Sequence, residues 1–446
     1  MTKVSQEFSM FMNTNKMKAL FQRELPDCLT GEWTLTNCEI QHPRFKTYLS
    51  PESKEKSFLA LAYHLKGINN KTHKVDNRIL YVKAYLGSRS HDEYLKASRL
   101  AKNSRQVEVL HLDKYGMVAW FFPFDPALPW LPNCLDIWFV KTYLSVFLLV
   151  KQQYPPPVIR DVEISIINYR PEIRCTYKYD IKKLNGSKHT IYGKTFADDK
   201  GAEIHRRIVL MAEYTKNKSD SFVIPSPLGY DEMLHTLWLE GLAGKPLVEV
   251  INDTNVDQLT TQLAKLLHDF QNVSLPGLDS ITEDDLLTEI QKKVHKLQNA
   301  LPILSERFTT LINQLKSEKA QLPILPFCLG HCDFHIQQLL LLDSKRIALF
   351  DFDELAMANP LMDLANFSAD LYGLNLAKNF VSKVINLLFS AYKKISQQGL
   401  NESHFIWHLR IQVMTRAYRA YIQQKPCLEK LVTEYLETAE LFALNG

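Results

Sequence analysis

Two short stretches carry carboxylates, imidazoles and an amide at spacings suited to moving a phosphoryl group. The first is His331-Cys332-Asp333-Phe334-His335, running on to Gln338, and the second is Phe350-Asp351-Phe352-Asp353. Phosphoryl transfer asks little covalent work of a protein. It needs a carboxylate to orient the attacking hydroxyl, oxygen ligands for a nucleotide-bound metal, and a cation for the phosphates. Asp333 sits in a short loop between the apolar runs 325–329 and 339–342, and the hydrophobic run 346–350 delivers Asp351 at its end. Two carboxylates on loops flanking one hairpin can face a phosphate from two sides.

Taken singly these residues say little, since an aspartate at a strand end is ordinarily a turn or cap residue. Their combination is what points to chemistry. Asp353, two residues further along an extended segment, reads as a carboxylate that assists Asp351. His331 and His335 read as loop-ordering hydrogen-bonders rather than zinc ligands. Cys328 and Cys332 are four apart without further ligands and read as buried thiols.

The elements that must hold these loops come from the rest of the chain. At 446 residues, two or three packed subdomains are expected. Residues 58–64 and 79–85 alternate as half-buried strands, 90–102 follow as a helix, and 107–112 and 117–122 return to strand character. A second block repeats the order, with strands at 162–167, 174–181 and 190–196 and a hairpin turn at Asn185-Gly186. Laying 81–85 on 192–196 places Lys83 and Lys194 nine or ten residues before Glu93 and Glu203, which reads as a degenerate repeat. Pro155-Pro156-Pro157 marks a boundary. Beyond Gly241 strands nearly vanish and leucine-rich helical spacing dominates, at 257–270, 283–298, 302–321 and most of 363–445. The aromatics Trp120, Phe121, Phe122, Phe124 and Trp130 lie beside prolines and read as inter-domain packing.

Composition excludes several classes. With 53 basic and 49 acidic residues spread along the chain and no polybasic block, nucleic acid is not an expected partner. No apolar run is long enough to cross a membrane; 137–150, broken by Lys141 and Thr142, reads as a buried helix. Residues 1–22 lack an export signal, and seven scattered cysteines without a Cys-x-x-Cys pair fit a reducing compartment, so the expected location is cytoplasmic. Oligomeric state has no signature in the sequence.

At this point a family resemblance becomes visible. The segment from His331 to Gln338 resembles the catalytic loop His-x-Asp-x-x-x-x-Asn of the aminoglycoside phosphotransferase and choline kinase superfamily, and Asp351-Phe352-Asp353 resembles its metal-binding segment. Asn359-Pro360-Leu361-Met362-Asp363-Leu364-Ala365 is similar to the Asp-Pro-x-x-Asp-Leu-Ala that follows, 263–268 to a helix ending in Leu-His, and 237–247 to the hinge between lobes. The resemblance covers about 160–375. It implies an α+β, protein-kinase-like bilobal fold, with a small, mainly antiparallel β lobe at 156–240 and a helical catalytic lobe at 241–446. An extra α+β domain at 1–155 would precede them and resemble the N-terminal cap of some sugar-kinase members.

The roles implied are Asp333 as base or hydroxyl-orienting group, Asp351 as main magnesium ligand, and Lys194 as the lysine on the ATP phosphates. Glu203 becomes the ion-pair partner of Lys194, with Glu213 the alternative. Main-chain groups of Leu239, Glu240 and Gly241 would hold adenine. Lys83 reads as structural, because Lys194 rather than Lys83 leads directly into the hinge and the catalytic lobe. Gln338 stands where the family usually has Asn; it keeps the carbonyl oxygen and reaches one methylene further, so it remains a candidate ligand for a hard cation. There is no Gly-x-Gly-x-x-Gly near 170. The segment 168–174 takes the nucleotide-covering position, where Arg170 and Arg174 either cap phosphate oxygens or flank a tight turn as solvated charges. The implied activity is an ATP- and Mg2+-dependent phosphotransferase acting on a small hydroxylated acceptor. The alternatives are an inactive nucleotide-binding regulator and a kinase acting on a protein.

Overall fold

Alternating burial builds two antiparallel sheets of five strands each. In the strand Arg174–Lys183, Cys175, Tyr177, Tyr179 and Ile181 are buried while the residues between them are partly exposed, the period of a sheet packed on one face. A computed structural model of the chain describes residues 7–102, 107–150, 159–218, 221–396 and 400–444. The first sheet runs Trp33–Lys46, Phe58–Asn69, Val75–Tyr85, Met117–Phe121, Leu110–Leu112. The second runs Ile159–Arg170, Arg174–Lys183, Lys188–Phe196, Thr236–Glu240, Pro227–Asp231.

Both sheets therefore share one topology. In each, the third strand carries the lysine, Lys83 or Lys194, and leads into a helix, Arg89–Ala101 or Lys200–Lys218. Two further strands then join beside the lysine strand. The second helix buries Ile204, Ile208 and Met211 at helical spacing, and these pack into one core with Phe196 and Leu237 of the sheet.

Residues 137–150 form the helix Ile137–Val150, whose described side chains divide into a buried and an exposed side. Val140 and Leu144 pack on the second sheet with Val162, Cys175 and Tyr179, whereas the Trp138 side of the helix faces solvent, with Trp138 itself 79% exposed. The buried helix expected from its apolar run is corrected for the described side chains: Val140 and Leu144 are buried on the sheet, whereas Ile137, Trp138 and Val146 are exposed. Leu128, Leu131 and Cys134 join the same core. Residues counted with the first unit thus serve the second sheet, and the Pro155–Pro157 boundary lies outside the described residues.

After Thr236–Glu240 the chain crosses to a mainly helical lobe. Its strands are two to four residues long and all lie near the predicted catalytic segments. Leu339–Leu342 pairs with Ile347–Leu349 as a hairpin, and Cys328–Gly330 pairs with Ala356–Ala358. The first sheet touches both lobes. Phe45 meets Tyr421 edge to face at 5.8 Å between centroids, and Trp120 Nε1 donates to Tyr169 Oη at 3.3 Å. No helix among the described residues is long and apolar enough to cross a membrane.

Candidate functional site

Strand ends bring the predicted carboxylates together. The loop of Asp333 leaves Cys328–Gly330 of a three-stranded sheet and enters a separate four-stranded sheet at Leu339, while Asp351 follows Ile347–Leu349 on the neighbouring strand of that four-stranded sheet. Phe350 N donates to Gln338 O at 3.3 Å, tying the end of the loop to the residue before Asp351. Cys332 and Asp351 both take positive φ, 62° and 70°, a backbone conformation uncommon outside glycine and concentrated at functional turns.

Asp363 holds the first bend. Fully buried at the start of the helix Leu361–Leu371, it accepts from His331 N at 2.7 Å and Cys332 N at 2.8 Å. Burial pushes its carboxyl up to about 6 despite those two donors. Replacing Asp363 with Ala leaves both buried N–H groups unpaired and is expected to lower stability by about 3 kcal/mol or more; chemical denaturation checks it, and a change within a few tenths would remove this role.

His331 is buried against Phe270, Phe334 and Phe352, with Nε2 3.1 Å from Phe350 O. The ring therefore donates Nε2–H and is neutral. Burial lowers its pKa to about 4 from an ordinary 6.5. A depressed folded-state pKa means that its contribution is present above pH 6.5 and is lost as pH falls toward 4, by up to about 3 kcal/mol. His331→Gln is expected to flatten the pH slope of unfolding free energy in that window by about one proton; an unchanged slope would contradict it.

Lys194 is buried and bridges Asp351 Oδ1 and Asp353 Oδ1, each at 2.6 Å. Arg174 pairs with the other oxygen of Asp353, so two cations and two carboxylates form one compensated cluster, as buried charges require. Burial, and then Arg174, lowers Lys194 to about 8 against the pull of Asp351. For Asp351 burial acts upward, but Lys194 and Arg174 bring the carboxyl below its ordinary value. Asp353 is more deeply buried than Asp351 and is the shared anchor of Lys194 and Arg174.

Gln338 is buried, and its Nε2 donates to Asp333 Oδ2 at 3.1 Å. Its carbonyl Oε1 has no partner, an orphaned oxygen in a site with an ionised carboxylate. That donor set fits a hard cation such as magnesium, which takes one or two protein oxygens and completes its shell with water and phosphate. Asp333 keeps a third of its side-chain surface open, and His335 Nε2 lies 3.8 Å from its Oδ2.

Glu203 departs from expectation. It binds Arg206 at 2.7 Å and Arg207 at 2.8 Å and does not reach Lys194; Glu213 is exposed. The helix begins at Lys200, so position 203 falls in its first turn on the solvent side, while 204, 208 and 211 face the sheet. In the hinge, Leu239 pairs with Tyr192 and Pro227. Glu240 N donates to Ser226 O at 2.9 Å and Gly241 N to Thr190 O at 2.8 Å, so these two amides are committed within the sheet. Gly241 is needed there, because a Cβ would come within 2.7 Å of the Thr190 side chain.

Arg174 faces the cluster, and half-buried Arg170 sits opposite it across the turn 171–173. Lys83 reaches this turn through Glu172. Buried Asp125 accepts from Tyr169 Oη at 2.7 Å and Glu172 N at 2.8 Å. Sequence reasoning had not singled out Asp125 or a role for Asp363. Only the exit of the chain at Pro123 and Pro126, and the similarity of 359–365 to a family segment, marked their surroundings.

Among solved structures, a thermostable mutant of an aminoglycoside phosphotransferase is similar at TM-score 0.47 and 15% identity, over 68% of this chain and 99% of that one. Spectinomycin phosphotransferase in complex with ADP and spectinomycin gives 0.46 and 12%, over 69% and 99%. A choline/ethanolamine kinase family protein from Mesorhizobium loti gives 0.44 and 12%, over 68% and 93%. No curated protein matches the chain. Residues 200–394, which hold Asp333, Gln338, Asp351, Asp353 and Asp363, match the model of the phosphotransferase enzyme family.

Proposed function

We propose that the chain transfers the γ-phosphate of ATP to a hydroxyl of a small polar molecule, such as a sugar, an amino alcohol or an aminoglycoside-like compound. The observation that carries this reading is the pairing across one hairpin of an accessible carboxylate, Asp333, with an ionised one, Asp351, joined by Gln338 and its unpartnered carbonyl. Asp333 orients the acceptor hydroxyl and takes its proton. Asp351 and Gln338 Oε1 would hold magnesium, which when bound offsets phosphate charge. Lys194 and Arg174 exchange part of their pairing with Asp351 and Asp353 for phosphate oxygens.

Around Asp333 the helical lobe is strongly polar. Asp333, Asp370, Arg416 and Arg419 all act on the His335 imidazole, and Arg416 pairs with Asp370 and Asn366. This supports a hydroxyl-rich or charged acceptor over an apolar one. The turn 171–173 is read as covering the nucleotide, held by Lys83 of the first sheet and by Asp125, just beyond that sheet's strand Met117–Phe121. Asp125→Ala is expected to raise the KM for ATP several-fold with a smaller change in kcat; equal KM values would separate the first sheet from nucleotide binding.

A second reading, a nucleotide-binding regulator without catalysis, is favoured by one observation: among the described residues Lys194 has no carboxylate partner on the helix Lys200–Lys218 that follows its strand. ADP release with Mg-ATP, measured across sugars, polyols, amino alcohols and aminoglycosides, decides between them. Acceptor-stimulated release is expected for at least one class. Nucleotide binding without transfer to any acceptor would favour the regulator.

A further inference from the structure

We propose that Glu283, His404 and His408 form a binding site for one zinc ion, separate from the cleft of Asp333 and Asp351. His404 and His408 are one turn apart on the helix Glu402–Ile422, so their rings leave the same face; they stack at 5.2 Å between centroids. Glu283 is the first residue of the facing helix Glu283–Ala300, whose start is fixed by a capping box between Thr282 and Asp285. Glu283 Oε1 lies 3.8 Å from His404 Nε2 and 3.9 Å from His408 Nε2, and one ligand atom from each of the three falls within 4.8 Å of the others. Tetrahedral zinc with bonds of about 2.0–2.2 Å sets its ligands roughly 3.3–3.5 Å apart. To reach that spacing the Glu283 carboxylate and the two imidazole rings must all turn inward, since the ligand atoms are held only within 4.8 Å of one another.

The independent observation is His408. Its side chain is completely buried, and neither ring nitrogen has a hydrogen-bond partner; His404 Nδ1 is likewise unpartnered. A buried imidazole with both nitrogens idle calls for an explanation, and a metal ion that takes one lone pair supplies it. Asn359 completes the surround: its Nδ2 donates to Glu283 Oε1 at 2.7 Å and lies 3.1 Å from His404 Nε2. Because an amide nitrogen only donates, the His404 Nε2 lone pair faces Asn359, and an ion would take it in place of that hydrogen bond. Asn359 Oδ1 is taken by Leu361 N at 2.9 Å, so Asn359 orients the carboxylate and is not itself a ligand. The donor set is one carboxylate and two imidazoles. This is a three-ligand zinc set with a fourth position for water, and entry is past Glu283, 21% exposed at its side chain.

Such an ion would join the two helices to the segment of Asn359, which directly follows Ala356–Ala358, the strand paired with the one that launches the catalytic loop. Its role is to brace that wall of the helical lobe.

The test uses the full chain, stripped with chelator and titrated with Zn2+ and with Co2+. One equivalent of zinc is expected, with a raised Tm, and Co2+ should show the intense visible bands of a four-coordinate site without thiolate charge transfer. His408→Gln and Glu283→Gln should each weaken zinc binding by more than about tenfold, while Asp351→Asn leaves it intact. If His408→Gln fails to fold, Glu283→Gln, partly exposed and isosteric, carries the comparison. Absence of stoichiometric zinc, equal binding by the folded ligand variants, loss in Asp351→Asn, or a cobalt spectrum dominated by thiolate would each overturn the site.

Discussion

Asp333→Asn is expected to lower kcat by about 10²–10⁴-fold, the usual worth of a positioned general base, while nucleotide affinity changes less than about twofold. The substitution keeps the shape and can still accept the N–H of Gln338 through its carbonyl, so the loop geometry set by Asp363 survives. What is lost is the charge proposed to orient and deprotonate the acceptor. Because Lys194, Arg174 and Asp351 are untouched, an equal loss of ATP binding would mean that Asp333 serves the metal rather than the acceptor. Ordinary turnover would remove it from catalysis. Single-turnover kinetics beside calorimetric titration of nucleotide separates these outcomes.

Asp351→Asn should act on the opposite side of the balance. Lys194 then keeps Asp353 as its carboxylate partner among the described residues, and the pair proposed to hold magnesium is reduced to two neutral amides, Asn at 351 and Gln338. Binding of Mg-ATP is expected to weaken by about 100-fold, the upper range for losing even the outer-shell partners of a metal's ligands. Metal-free ATP should bind as well as to the wild type or better, since a negative charge facing the phosphates has gone. Calorimetry with and without magnesium measures the difference. An unchanged magnesium dependence would contradict the assignment of Asp351.

What could be read in the sequence was local. Asp333, Gln338 and Asp351 lie within nineteen residues of one another on consecutive turns and strands, so spacing alone places them on one hairpin. The strands of Tyr177 and Lys194 announced themselves by alternation, and the choice of Lys194 over Lys83 rested on chain order toward the hinge. Contacts that close long loops were not legible. Asp363 reaches His331 across 32 residues and Asp125 reaches Glu172 across 47, with no spacing rule for either. Glu203 was misplaced because a helix's rotation about its axis depends on where the first turn starts, and that start at Lys200 turns 203 toward Arg206 and Arg207. The strand Trp33–Lys46 escaped notice since its register slips twice, at Leu35/Asn37 and Gln41/Arg44, and His42 takes a positive φ; such bulges break the period that reveals a strand. His404 and His408 drew no attention either, because a pair of histidines one turn apart has meaning only once Glu283 faces them.

The repeated topology of the two sheets gives the first of them a physical role without any chemistry of its own. It carries Lys83 where the second carries Lys194, yet Lys83 meets Glu172 in the turn of the second sheet rather than a carboxylate of the cleft. One face of the molecule is thereby braced from the turn at 171–173 to Tyr421 in the helical lobe.

The central claim is tested most directly by following the γ-phosphate itself. Wild-type chain and Asp333→Asn are incubated with γ-labelled Mg-ATP and a pool of hydroxylated small molecules, and the label is tracked into small-molecule phosphate esters. The wild type is expected to produce a labelled ester that Asp333→Asn, although it binds ATP, does not; equal labelling by both, or labelled ester from neither while both bind ATP, would contradict it.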